Sequence, residues 1–149
     1  MRLIFRSSFL LLVQSSIAPA VFGQSMEGYA GEFPESVEMR FHVPVAMRDG
    51  IRLATDIYLP EGDGEFPTLL VRDMYSNGSS AVRQRYAKFA TSNGYAFVFQ
   101  SVRGRYDSEG SWYPYFQEID DGDDTLTWIA EQPWSNGKVG MFGSSYLAT

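Results

Sequence analysis

Residues Ala96 to Val102 read AFVFQSV, an apolar run that does not alternate with polar residues. A strand with one face in water would alternate. A continuous run of this length fits a strand buried on both faces, as in a parallel sheet covered by helices. Parallel strands need long crossover connections, usually helices, and the flanking sequence offers them. Upstream, Val82, Tyr86, Phe89 and Ala90 fall at i, i+4, i+7 and i+8, one face of a helix, and Gly94 stands where a C′ glycine would end it. Downstream, a second helix is predicted from about Asp120 to Glu131, with Leu126, Ile129 and Ala130 on one face. QPWSNG closes that helix, and KVGMF is the last predicted strand.

The segment before these units is of another kind. MRFHVPVAM and IRLATDIYLP are extended runs joined by Arg48-Asp49-Gly50. In the second run, Ile51, Leu53, Thr55, Ile57 and Leu59 alternate with Arg52, Ala54, Asp56 and Tyr58, which predicts a β-hairpin. TLLVRDMY follows as a short apolar strand ending in polar residues, and RGRYDSEGSWYPYF is a long loop. The order is hairpin, strand, helix, strand, helix, strand, turn. It predicts an α/β fold in which an antiparallel hairpin leads into a mostly parallel sheet with flanking helices.

The N-terminus reads as a targeting segment. Arg2 and Arg6 precede FLLLV and IAPAVF, and small residues offer cleavage after Gly23 or Ala20. A membrane anchor is the alternative, but Gln14, Ser15 and Ser16 interrupt the run, which is too short to span. Residues 1–23 are therefore expected to be a signal peptide, 24–36 a linker, and 37–149 the N-terminal part of an α/β domain. The expected location is secreted or periplasmic, with no membrane attachment after signal removal. Loss of Arg2 and Arg6 with no acid takes the net charge from −6 to −8. An acidic chain without a basic run is a poor partner for nucleic acid. With no cysteine and one histidine, His42, the chain has no thiolate nucleophile, no disulfide and no basis for a structural zinc site.

The chain closes on GKVGMFGSSYLAT. A nucleophile elbow turns sharply from strand to helix, so small residues must flank its serine. Gly143 lies two residues before Ser145, whereas Phe142 would take that place for Ser144, so Ser145 is the better candidate. The pattern G-x-S-x-G wants a small residue at 147, where Leu147 stands. From these residues alone, an elbow and a plain Gly-Ser turn remain equally compatible.

The run from Val45 to Ala148 resembles the family containing Xaa-Pro dipeptidyl-peptidases, cocaine esterase and α-amino-acid ester hydrolases. MRDGIRLATDIYLP is similar to its opening hairpin, LLVRDMY to its third strand and following tyrosine, and RGRYDSEG to its Arg-Gly-Arg loop. DGDDTLTWIAEQPWSNGKVGMFGSSYLA is similar to its helix, strand and elbow, which reads G-x-S-Y-x-G or Ala. The resemblance implies that Ser145 is the nucleophile. It implies that Tyr146 supplies a backbone N–H, and Tyr75 a phenol hydroxyl, to an oxyanion hole. It also implies a small-molecule ester or peptide substrate and no metal or organic cofactor. The triad acid and histidine of such an enzyme would follow the elbow in sequence. The 149 residues are thus expected to be an N-terminal fragment that is inactive alone and prone to aggregate along the outer edge of its elbow strand. The alternative is an exported, non-enzymatic binding fragment.

Other residues have simpler readings. His42 precedes Ser145 in the chain, contrary to the order of α/β hydrolases, and is expected to be a strand residue at the sheet edge. Asp120, Asp121, Asp123 and Asp124 suggest calcium, but they crowd a predicted helix start, where carboxylates offset the macrodipole. Some of these acids are expected to pair with Arg103 or Arg105. Those arginines would hold the long loop or bind a substrate carboxylate. Trp112, Tyr113, Tyr115 and Phe116 are compatible with an acyl pocket or with loop packing.

Overall fold

The AFVFQSV run becomes strand β4 (Ala96–Ser101), and every one of its residues is buried. The structure, a computed structural model, describes residues 32–33, 35–75, 80–143 and 145–148. The expected signal peptide and most of the linker lie outside the described residues, as does Ser144. The other elements are β1 (Glu38–Ala46), β2 (Arg52–Leu59), β3 (Phe66–Asp73), α1 (Ser80–Ser92), α2 (Glu118–Ala130) and β5 (Ser135–Met141). A 3-10 turn covers Ser145–Ala148.

The five strands form one sheet in the order β1-β2-β4-β3-β5. The hairpin β1–β2 is antiparallel, and β2 joins the rest by pairing antiparallel with β4. β3 is parallel to β4 and to β5. The expected architecture is therefore present: a hairpin feeding a parallel half, with helices as the crossovers.

The pleat explains the two-sided burial of β4. Phe97 and Phe99 pack with Tyr58, Val71, Ala87 and Ala90 on the α1 face. Ala96 and Val98 pack with Ile57, Leu70, Ile129 and Trp134 on the α2 face. β2 is buried on both faces from Thr55 to Leu59, more than the alternation alone implied. Tyr58, Phe33 and Phe97 stack across the α1 side, at 5.4 Å and 5.9 Å between centroids.

Both helix faces hold in part: Tyr86 and Ala90 of α1, and Leu126 and Ile129 of α2, meet the core as expected. Val82 is 44% exposed, and Ala87 and Ala90 make the buried contact of α1. Small side chains let the helix lie close to β4, so Val82 in the first turn overhangs the contact. In α2, Ala130 is exposed and the buried line is Asp121, Thr125 and Ile129. That line keeps the helical spacing but is polar, because partners on the sheet and in the loop satisfy it. α1 ends as expected: Gly94 has φ +76°, and Tyr95 N–H donates to the Ala90 carbonyl at 3.0 Å.

Candidate active site

Parallel strands deliver their carboxyl ends to one side of the sheet, where ligand sites of α/β folds form. β3 and β5 are neighbours and parallel, so the residues just past them meet. After β3, the Asp73 carboxylate accepts the Tyr75 N–H at 2.8 Å, a local turn that sets the tyrosine. After β5, Phe142 N–H donates to Leu70 O at 3.4 Å, and the chain reverses through Gly143.

Gly143 has φ +155°, and a Cβ there would lie 2.9 Å and 3.0 Å from the Leu147 carbonyl carbon and oxygen. Only glycine lets the elbow fold back so tightly. Ser145 has φ +58°. A non-glycine residue in that region costs on the order of 1–3 kcal/mol and persists only where its surroundings hold it. This is the geometry of an elbow, not of a relaxed turn, and it presents an exposed Ser145 hydroxyl.

The turns after β3 and β5 bring the Tyr75 hydroxyl within 3.0 Å of Ser145 Oγ. Tyr75 is 51% exposed, so the pair faces outward. Among the described residues, Tyr75 is the one hydrogen-bond partner of Ser145 Oγ. Two hydroxyls, those of Tyr75 and Ser145, are in place together.

Tyr146 is held more firmly than its expected role required. Its phenol is buried, donates to Glu118 Oε1 at 2.8 Å and accepts from Tyr115 N–H at 3.1 Å. The Tyr115 ring lies against it at 4.8 Å between centroids. Burial pushes the phenol above its ordinary pKa, and Glu118 adds to this while the Tyr115 N–H opposes it. Glu118 lies 2.7 Å from Arg72, whose side chain is 1% exposed. Arg72 also donates to Gln100 Oε1 at 3.0 Å and to the Glu118 carbonyl at 3.1 Å. Thr125 donates to the same Gln100 oxygen at 2.9 Å.

Sequence reasoning missed this network. The available signal was Arg72 itself, a cation inside the apolar run LLVRD. A buried cation requires a partner.

The remaining candidates fall into structural roles. Arg103 bridges Asp49 in the hairpin turn and Asp121 in α2, each at 2.6 Å. Arg105 donates to Met74 O at 2.8 Å and stacks over Trp112 at 5.2 Å, steadying the exit of β3. Asp120, Asp123 and Asp124 surround Arg48, at 3.1, 2.6 and 2.8 Å. Among the described residues, no group of three or more His, Cys, Asp or Glu could hold a metal ion. His42 occupies a bulge in β1 at φ +55° and pairs with Asp107 at 3.1 Å. β1 and β5 are the two edges of the sheet, so His42 stands four strand spacings from the elbow strand, on the order of 19 Å.

A family model described as X-Pro dipeptidyl-peptidase (S15 family) matches residues 49–149. The chain belongs to that family. The S15 family model thus takes in the second hairpin strand, the Tyr75 turn and the elbow. Cocaine esterase from Rhodococcus sp. (strain MB1 Bresler) is 46% identical over 110 residues, covering 71% of this chain and 19% of that protein. A solved α-amino acid ester hydrolase is 32% identical with a TM-score of 0.64, covering 89% of this chain and 25% of that one. A CocE/NonD family hydrolase from Staphylococcus aureus is 31% identical with a TM-score of 0.66, covering 73% of this chain and 23% of that one. The chain spans about a fifth of the length of the curated relatives it matches. The fold is that of the CocE/NonD α/β hydrolases, and the family is one of serine hydrolases of the esterase and peptidase type.

Proposed function

We propose that this chain carries the nucleophile and oxyanion side of a serine hydrolase acting on acyl esters or amides, of the esterase or Xaa-Pro dipeptidyl-peptidase type. The observation that carries the reading is the 3.0 Å contact between Tyr75 Oη and a Ser145 held at φ +58°.

In the proposed reaction, Ser145 Oγ forms a bond to the acyl carbon while its proton passes to a general base. The carbonyl π electrons move to oxygen. The resulting oxyanion accepts hydrogen bonds from the Tyr75 hydroxyl and the Tyr146 backbone N–H. One such donor is worth roughly 2.7–4 kcal/mol in the transition state. Collapse expels the alcohol or amine, which takes a proton from the base. Water then attacks the acyl-enzyme by the same route, releasing the acid and restoring the serine. Nothing in this scheme calls for a cofactor.

A serine near its free pKa is a weak nucleophile without an adjacent base. The chain's one histidine, His42, stands on the far edge strand and pairs with the loop residue Asp107. The base and its orienting acid are therefore proposed to come from outside these 149 residues. The signal-like N-terminus supports export to the periplasm or the medium.

A second reading is an exported, non-enzymatic binding protein. A fluorophosphonate probe separates the two. Displacement of fluoride by Ser145 in the intact protein should leave one adduct, on the peptide containing Ser145. It should vanish in Ser145→Ala. No adduct in the intact protein would favour the non-enzymatic reading.

A further inference from the structure

We infer that Glu118 and the Tyr146 phenol are positioning residues for the nucleophile, resting on the proposal that Ser145 is one. Ser145 sits in a conformation that its own backbone disfavours, so something adjacent must hold it. Tyr146 is the next residue, and its phenol is a junction. It donates to Glu118 Oε1 on α2 and accepts from Tyr115 N–H in the long loop, at 2.8 Å and 3.1 Å. Glu118 is fixed in turn by the buried Arg72 guanidinium at 2.7 Å. Arg72 belongs to β3, the strand that leads to Tyr75 two residues past its end. One chain of contacts therefore runs from the phenol donor's strand, through a buried ion pair, to the residue that follows the nucleophile.

This arrangement gives Tyr146 two separable parts. Its backbone N–H serves the oxyanion, and its side chain keeps that N–H and Ser145 in register with Tyr75. Glu118 touches neither substrate nor nucleophile and acts only through the phenol. Tyr115, itself at φ +66°, is drawn into the same junction, which ties the aromatic loop to the elbow.

Tyr146→Phe is the deciding variant, because it keeps the ring and the backbone N–H and removes only the phenol oxygen. In the intact protein, kcat for an activated ester should fall about 10–100-fold with KM within about twofold, since small misplacements of reacting groups act on the chemical step. Amide hydrogen exchange of the 143–148 peptide should speed up about 10-fold, while β3 and β4 peptides keep their protection. Glu118→Gln, which retains an acceptor for the phenol, should lower kcat less than Tyr146→Phe does, whereas Glu118→Leu, which also strands the buried Arg72 charge, should lower kcat and global stability together. Unchanged exchange at the elbow in Tyr146→Phe overturns the inference, as does an unchanged kcat in an active protein. If the unaltered protein shows no Ser145-dependent turnover, the hydrolase reading fails, and the exchange measurement still decides whether the phenol anchors the elbow.

Discussion

Tyr75 Oη and Ser145 Oγ lie 3.0 Å apart although 70 residues separate them in the chain. Two adjacent parallel strands make the contact, because β3 and β5 end on the same side of the sheet. The pair is exposed, so its hydrogen bond contributes little to stability; under the proposed function its worth lies in the reaction.

Tyr75→Phe should therefore lower kcat without lowering stability. Loss of one oxyanion donor costs about 10²–10³ in kcat. KM should change little, because the ground-state carbonyl uses the donor less than the oxyanion does. Steady-state kinetics beside a thermal melt tests this. A Tyr75→Phe protein with unchanged kcat would remove the phenol from the oxyanion hole.

Arg72 and Glu118 should behave as a coupled buried pair. Arg72→Met alone strands the Glu118 charge, and breaking a buried pair costs about 3–5 kcal/mol. The double variant Arg72→Met/Glu118→Leu removes both charges and should recover most of that loss. It should remain slow, because the phenol of Tyr146 has lost its acceptor. Denaturant titrations of the four proteins in the cycle measure the coupling. Full recovery of stability and activity together would mean that Glu118 serves packing alone.

Stability should also fall in acid, over a defined window. Asp49, Asp124 and Glu109 are held below their ordinary values of 3.8, 3.8 and 4.5, mainly by hydrogen bonds from Arg103, Arg48 and Arg52. Depressed carboxylates bind fewer protons in the folded state than in the unfolded one, so stability rises with pH through their titration. Their contribution is complete above the ordinary values and disappears as pH falls through the lowered ones. The melting temperature should be flat from about pH 7 to 5 and drop below about pH 4. The Arg52–Glu109 pair is exposed on both sides, so salt should shrink its share most. A melting temperature that holds steady to pH 2.5 would show that the ion pairs around the hairpin turn contribute nothing.

The elements were legible where their cause is local. AFVFQSV had to be a buried strand, Gly94 had to end a helix, and Gly143 had to allow a tight turn. The family resemblance picked Tyr75 out of nine tyrosines, which no local pattern could do. What stayed hidden depends on distant partners. Asp121 and Thr125 are buried because Arg103 and Gln100 meet them, so an apolar periodicity search found Leu126 and Ile129 on the packed face, added the exposed Ala130 and passed over the two polar residues. The Tyr146 phenol was invisible for the same reason. Its partners, Glu118 and Tyr115, lie about 30 residues upstream.

Ester turnover by the intact protein, compared with Ser145→Ala at equal folded concentration, tests the central claim most directly. Removing an acyl-accepting nucleophile lowers kcat on the order of 10⁶-fold where the full machinery is present. The account predicts turnover that collapses toward background in Ser145→Ala while the melting temperature stays within a few degrees. Turnover that survives the substitution at its original rate would show that the chemistry belongs to another residue.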